Sequence, residues 1–313
     1  MAGVFCNPIM ESGADPWVIE HGGCYYYTHT TGDNIQLWKS NSLSRISVGE
    51  HKIVWTPPLT GLYSKNIWAP ELHYLNNRWY IYFAADDGQN ENHRMYVLES
   101  VSEDPIGEYI FKGKVTDITN KWAIDGTVLK TNDQSLYFIW SGWEGNENIA
   151  QYLYIAKMSN PFTISSERVE ISRPKYDWEK VGTPEVNEGP QVLVKNNKIF
   201  IIYSASGSWT NDYALGMISA EVNSDLLHPK AWMKHPKPIF SRTADVFGPG
   251  HASFVKSPNK EEDWIVYHAA KYENSGWERD VRMQPFTWNE DGTPNFKEPI
   301  SLNKAQLVPG GEK

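Results

Sequence analysis

Glu71-Leu72-His73-Tyr74-Leu75-Asn76-Asn77-Arg78-Trp79-Tyr80-Ile81-Tyr82-Phe83 is the stretch on which the fold turns. A strand-like segment carries one charged residue near its start, two Asn residues follow, and an aromatic run of strand length comes next. Asn tolerates positive φ, so Asn76-Asn77 predicts a tight hairpin turn. The same context recurs along the chain. The other aromatic runs are Cys24-Tyr25-Tyr26-Tyr27-Thr28, Leu136-Tyr137-Phe138-Ile139-Trp140, Ile199-Phe200-Ile201-Ile202-Tyr203 and Trp264-Ile265-Val266-Tyr267-His268. Asn132-Asp133 and Asn196-Asn197 predict the turns before two of them. Each upstream strand carries one polar residue near its start: Asp15, Glu71, Asp125, Glu188 and His251.

A third strand follows each run, at Ile35-Gln36-Leu37-Trp38, Arg94-Met95-Tyr96-Val97-Leu98, Tyr152-Leu153-Tyr154-Ile155-Ala156, Ala214-Leu215-Gly216-Met217-Ile218 and Val281-Arg282-Met283-Gln284. A meander repeating every roughly 60 residues signals a repeat architecture. Four-stranded meanders close radially into propellers of ~4–8 blades. The sequence therefore predicts an all-β fold, a five-bladed β-propeller whose first strands line a central channel. The five polar residues should then converge at one mouth of it. An open solenoid would need capping repeats with a polar outer face, and the sequence has none. With no linker or low-complexity stretch, residues 1–313 read as one catalytic domain. The last ~15 residues are expected to pack on or close the last blade.

Composition narrows the partners. The 313 residues include 14 Trp and 17 Tyr, and carry a formal charge of -9. An acidic chain without a basic stripe repels phosphate backbones, which argues against nucleic acid. The aromatic faces suit sheet packing first and sugar stacking second. No apolar run approaches the ~20 residues of a membrane span. The start, Met1-Ala2-Gly3-Val4-Phe5-Cys6, has neither a basic nor an apolar leader region. Cys6 and Cys24 are too few for a disulfide framework. These features lead to an expected cytoplasmic location, with a mature secreted form as the alternative.

Asp15, Asp125 and Glu188 each open an apolar strand, where folding requires no charge. Burying a carboxylate costs free energy unless it is paired. Any one alone reads as a turn residue, since Asp before Pro or Gly is common in turns. Three at equivalent repeat positions argue for use. Glycoside hydrolysis needs one carboxyl to protonate the leaving oxygen and one to activate water, ~6.5–9.5 Å apart in an inverting enzyme. A third carboxylate beside the acid would keep it protonated by like-charge repulsion.

The ordered set Ala14-Asp15-Pro16, Trp68-Ala69-Pro70-Glu71, Ile124-Asp125-Gly126, Asn187-Glu188-Gly189-Pro190 and Gly250-His251-Ala252-Ser253 resembles glycoside hydrolase family 43. The resemblance implies a five-bladed propeller and an inverting mechanism. It implies Asp15 as general base, Glu188 as general acid and Asp125 as the group that tunes and orients the acid. It implies that His251 lies beneath the sugar, where many members hold a calcium ion through one His and several waters. Arg279 matches an arginine that reaches substrate and a catalytic carboxylate. The nearby Arg282 reads as a surface charge on an outer strand. Trp68 matches an aromatic flanking the sugar, and Trp17 and Trp143 are candidate stacking platforms. Glu71 receives no catalytic role. The strings around Asp125, Glu188 and His251 look most like exo-acting α-L-arabinofuranosidases that trim α-1,5-linked arabino-oligosaccharides. β-Xylosidase and endo-arabinanase are the enzymatic alternatives; the chain is expected to lack the β-sandwich common in the xylosidases. A non-catalytic carbohydrate-binding propeller is the reading from another class. The sialidase Asp-box and the Asn-Asp-Pro-Asn start of invertases are absent.

Overall fold

The computed structural model describes residues 3–312, and they are all-β apart from short 3-10 turns. Five antiparallel meanders follow one another. The first is Trp17–His21, Cys24–Thr28, Ile35–Ser40 and Glu50–Trp55; the second is Lys65–Leu75, Arg78–Asp86, Arg94–Ser100 and Tyr109–Val115. The third is Ala123–Lys130, Leu136–Gly142 and Ala150–Asn160, whose last strand pairs with both Thr163–Ile164 and Val169–Ser172. The fourth is Glu185–Lys195, Lys198–Ala205, Ala214–Glu221 and Met233–Lys234; the fifth is Phe247–Lys256, Asp263–Ala270, Arg279–Trp288 and Pro294–Asn295. All five aromatic runs are second strands.

The turns differ in one respect from expectation. Asn76, Asn77, Asn196 and Asn197 all have positive φ, as the tight hairpin requires. Around Asn132-Asp133 the left-handed residue is instead Gln134, inside a wider turn closed by Thr131 and Ser135. Asp133 accepts from the Thr131 and Ser135 side chains there, so its side chain shapes the loop rather than its backbone.

Packing places the leading strands together. Each leading strand touches that of the next meander, and the fifth touches the first. Among the described residues the apolar core falls into five clusters, each shared by two neighbouring meanders. One of them joins Val18, Tyr25 and Tyr27 of the first meander to Trp264, Val266 and Val281 of the fifth. Aromatic and branched residues on the second and third strands supply this burial, which drives the association of the meanders; the third and fourth are also joined by parallel pairing of Ala150 and Gln151 with Glu185 and Val186.

The chain ends meet beside that junction. Val4–Phe5 pairs antiparallel with Gln306–Leu307. The Asn7 amide bridges the backbone N–H and carbonyl of Met283, each at 2.9 Å. Glu312 accepts from the backbone N–H groups of Leu43 and Ser44 at 2.6 and 3.1 Å. The C-terminal segment thus binds the first meander as well as the N-terminal strand. No helix among the described residues is long and apolar enough to cross a membrane.

Candidate active site

A shared backbone feature aims the site. Asp15, Ala69, Asp125, Gly189 and His251 all have φ between 44° and 57°. In the second to fifth leading strands the pairing register slips at that residue, between Trp68 and Glu71, Ile124 and Thr127, Glu188 and Gln191, and Gly250 and Ser253. Each slip is a β-bulge, which re-aims side chains locally. The five repeat-equivalent residues are therefore these, and not the set expected from sequence. Glu188 stands one position before the left-handed residue and Glu71 two after it. The consequence is visible in their contacts: Glu188 faces the cleft, whereas buried Glu71 binds His73 at 2.8 Å and the Gln191 amide across the interior. Position 189 suits glycine twice over. Its φ is +54°, and a Cβ there would sit 3.1 Å from His251 Nδ1. With no side chain in the way, the Gly189 N–H donates to Asp125 Oδ2 at 3.0 Å.

The three carboxyl groups lie in contrasting surroundings. Asp15 Oδ1 is 3.1 Å from His251 Nδ1 and 3.8 Å from Arg279 Nη1, and its Oδ2 accepts from the Thr30 hydroxyl at 2.5 Å. Burial alone would raise its pKa, but the charge and hydrogen bond of His251, then Arg279, outweigh that and hold it far below the carboxylate range. Glu188 is 9% exposed and accepts from the Tyr213 hydroxyl at 2.9 Å. Burial first and the Asp125 charge second push its pKa up to about 8. Asp125 is raised to about 6, by burial against the pull of His251, which lies 4.0 Å away. At neutral pH the site therefore holds an ionised Asp15 and a protonated Glu188.

Both line one cleft of about 700 Å³, with Asp125, Trp68 and Arg279 on the same walls. A profile of glycosyl hydrolases family 43 matches residues 5–294, nearly all of the sequence in which these motifs stand. The chain belongs to glycosyl hydrolases family 43. It is 38% identical to an extracellular exo-α-(1→5)-L-arabinofuranosidase of Streptomyces avermitilis over 95% of this chain and 64% of that protein. It is 36% identical to an enzyme of the same name from Streptomyces chartreusis, over 85% of this chain and 82% of that one. The fold superposes on the crystal structure of an α-L-arabinofuranosidase from Lactobacillus brevis with a TM-score of 0.90 at 34% identity, covering 96% of this chain and 98% of that one. Against three of the curated relatives the chain spans less than two thirds of their length, at 64%, 63% and 64%.

Not every aromatic expected at a family 43 sugar site reaches the cleft. Trp68 lines it, stacked on the His93 ring with centroids 4.0 Å apart. Trp17 does not: its indole N–H donates to the Leu72 carbonyl at 2.9 Å and its ring packs on His73, which fixes it between the first two meanders. Trp143 is 3% exposed and lies behind the wall, stacked on Trp122 at 4.7 Å. Trp122 is the residue that lines the cleft there. His251, 3% exposed, does not line the cleft and reaches Asp15 instead. Arg282 is 1% exposed rather than a surface charge, and its Nε donates to Asp280 at 2.6 Å.

Sequence reading missed several groups. Thr30 and His268 both hold Asp15, the latter by accepting its backbone N–H at Nδ1 over 2.9 Å. A histidine ending an otherwise apolar aromatic run was the available signal for His268. Tyr213, Trp209 and Trp277 stand in loops whose course no local pattern fixes.

His251 is also the protein ligand expected for calcium. Its Nδ1 is engaged by Asp15. Burial disfavours its charged form, but Asp15 and then Asp125 outweigh that and push its pKa up to about 9. Calcium prefers oxygen ligands in number, and among the described residues no three His, Cys, Asp or Glu side chains come together to hold a metal. The residues present do not fit a calcium ion bound directly to protein.

Proposed function

We propose that this chain is an inverting glycosidase that releases terminal α-L-arabinofuranose from arabinan or α-1,5-arabino-oligosaccharides. The relatives' names support the sugar, and the family supports the reaction class. We read the five meanders as blades of a single-domain β-propeller, a reading supported by the closed order in which the leading strands and apolar clusters succeed one another. Two relatives are named extracellular, which favours work outside the cell over the cytoplasm expected from the sequence.

One contrast carries the reading of mechanism: an ionised Asp15 and a protonated Glu188 face the same cleft. Asp15 is the general base. It takes a proton from water as the water oxygen attacks the anomeric carbon. Glu188 is the general acid and gives its proton to the departing oxygen as the glycosidic bond breaks. Tyr213 occupies one oxygen of Glu188, so the acidic proton sits on the other. Asp125 tunes the acid: its charge keeps Glu188 protonated, and the Gly189 N–H ties it to the acid's own strand. His251 balances Asp15 and Asp125 from below. Arg279 and Trp68 border the place of the terminal sugar.

The test is product analysis on linear arabino-oligosaccharides, with proton NMR of the first-formed anomer. Sequential release of L-arabinose with inverted configuration is expected. Release of xylose from xylosides alone, or of internal fragments from arabinan, would move the assignment elsewhere in the family. A retained anomer would overturn the mechanism.

A further inference from the structure

The loops after the second strands of the fourth and fifth meanders are tied together at the cleft rim. Asn211 Nδ2 donates to Asn274 Oδ1 at 2.8 Å, and the Asn274 backbone N–H donates back to Asn211 Oδ1 at 2.8 Å. The Trp277 indole N–H donates to the Ser208 hydroxyl at 3.1 Å. Beneath this clasp the Gly248 N–H donates to the Asn211 carbonyl at 2.8 Å, anchoring the fourth meander's loop on the fifth leading strand.

The clasp holds two indoles in the cleft wall. Trp209 and Trp277 meet edge to face with centroids 6.1 Å apart. Trp277 is 67% exposed although its single polar atom already has a partner. What it presents is an apolar face, kept at the rim of the cleft that holds the carboxyl groups. Such a face suits the C–H surface of a sugar ring.

The Trp209 half of this wall lies on the acid's side, and Trp277 joins it there through their edge-to-face contact. Glu188 pairs with Ser204, just before the loop that carries Trp209, and that loop ends at Tyr213, which holds Glu188. Trp209 also packs on Gly182, ahead of Glu188's strand, where an added Cβ would sit 3.1 Å from the indole. The acid must reach the leaving oxygen, so the departing group lies on this side. Resting on the function proposed above, we propose that the clasped loops form the leaving-group subsite: Trp277 and Trp209 take the second pentofuranosyl unit of a linear oligosaccharide, and the Asn211–Asn274 pair keeps them in place.

The experiment compares Trp277→Ala and Asn211→Ala with the unaltered protein in two assays. The kcat/KM on linear α-1,5-arabinotriose reads both sugar places, and inhibition by free L-arabinose reads the terminal one alone. Trisaccharide kcat/KM should fall about tenfold in Trp277→Ala and about threefold in Asn211→Ala, with arabinose inhibition within about twofold. Trp277→Phe, which keeps an aromatic face, should recover most of the loss. An unchanged trisaccharide rate in Trp277→Ala, or an equal weakening of arabinose, overturns the proposal. Failure of the functional reading looks different: the unaltered protein would release no arabinose. Calorimetric binding of arabinotriose and xylotriose to the same variants then decides, with weaker binding in Trp277→Ala supporting the subsite and unchanged binding overturning it.

Discussion

Tyr213 donates a 2.9 Å hydrogen bond to Oε1 of Glu188, and the same ring stacks on His268, which accepts the backbone N–H of Asp15. One stacked pair therefore touches the proposed acid on one side and the proposed base on the other. Gly250 permits it, because a Cβ there would lie 2.4 Å from the Tyr213 ring.

Tyr213→Phe keeps the stack and removes the bond. A donor to a carboxyl group favours its ionised form, so losing it raises the pKa of Glu188 further. The alkaline limb of kcat/KM should move to higher pH, and kcat should fall about tenfold as the acid loses its orientation. A pH profile with an unmoved alkaline limb would show that the bond does not act on the acid.

Asp15→Ala removes the proposed base. Turnover should drop by at least ~10²-fold while oligosaccharide binding survives, since Asp15 acts on water. Calorimetry on the variant checks the second half. A near-normal rate would place the base elsewhere.

Glu188→Ala should discriminate among leaving groups. A nitrophenyl arabinofuranoside departs with little protonation, whereas an arabino-oligosaccharide needs a proton on its leaving oxygen. The oligosaccharide rate should fall by ~10²-fold or more and the nitrophenyl rate far less. Equal losses on the two substrates would remove Glu188 from the acid's role.

The outline of this site was legible because its parts are local. Aromatic runs, Asn turns and a carboxylate opening a strand are short-range signals, and their repetition revealed the all-β meanders. The exact equivalence of positions was not legible. A bulge changes which residue faces the mouth, and Glu188 with Glu71 look alike in sequence while one enters the cleft and the other binds Gln191 in the interior. The aromatics Trp17 and Trp143 were ambiguous for a related reason. Composition marks a large face, but only neighbours such as His73 and Trp122 decide whether it is covered. The Asn211–Asn274 clasp joins residues 63 positions apart and leaves no local trace.

Gly189→Ala tests the bulge itself. An L-residue at φ +54° with its Cβ beside His251 is strained by about 1–2 kcal/mol. Urea unfolding should show a loss of that order. Activity should fall too, because any backbone shift pulls the Gly189 N–H away from Asp125. A variant as stable and active as the original would mean that the left-handed position is not required.

The pH profile follows from the same groups with a definite sign. Asp15 stays ionised throughout the working range and contributes no limb. Glu188 must be protonated to act, so kcat/KM falls as pH rises through about 8. Asp125 takes up a proton as pH drops through about 6, but Glu188 is already protonated there, so this step leaves the acid in its working form. Because the two carboxyl groups interact, the apparent values belong to the pair. Asp125→Asn tests the coupling. Removing the second-largest cause of the upward shift in Glu188 leaves burial and the smaller effect of the Asp15 charge, so the alkaline limb should move to lower pH. An alkaline limb that stays in place would mean that Asp125 does not tune the acid through its charge.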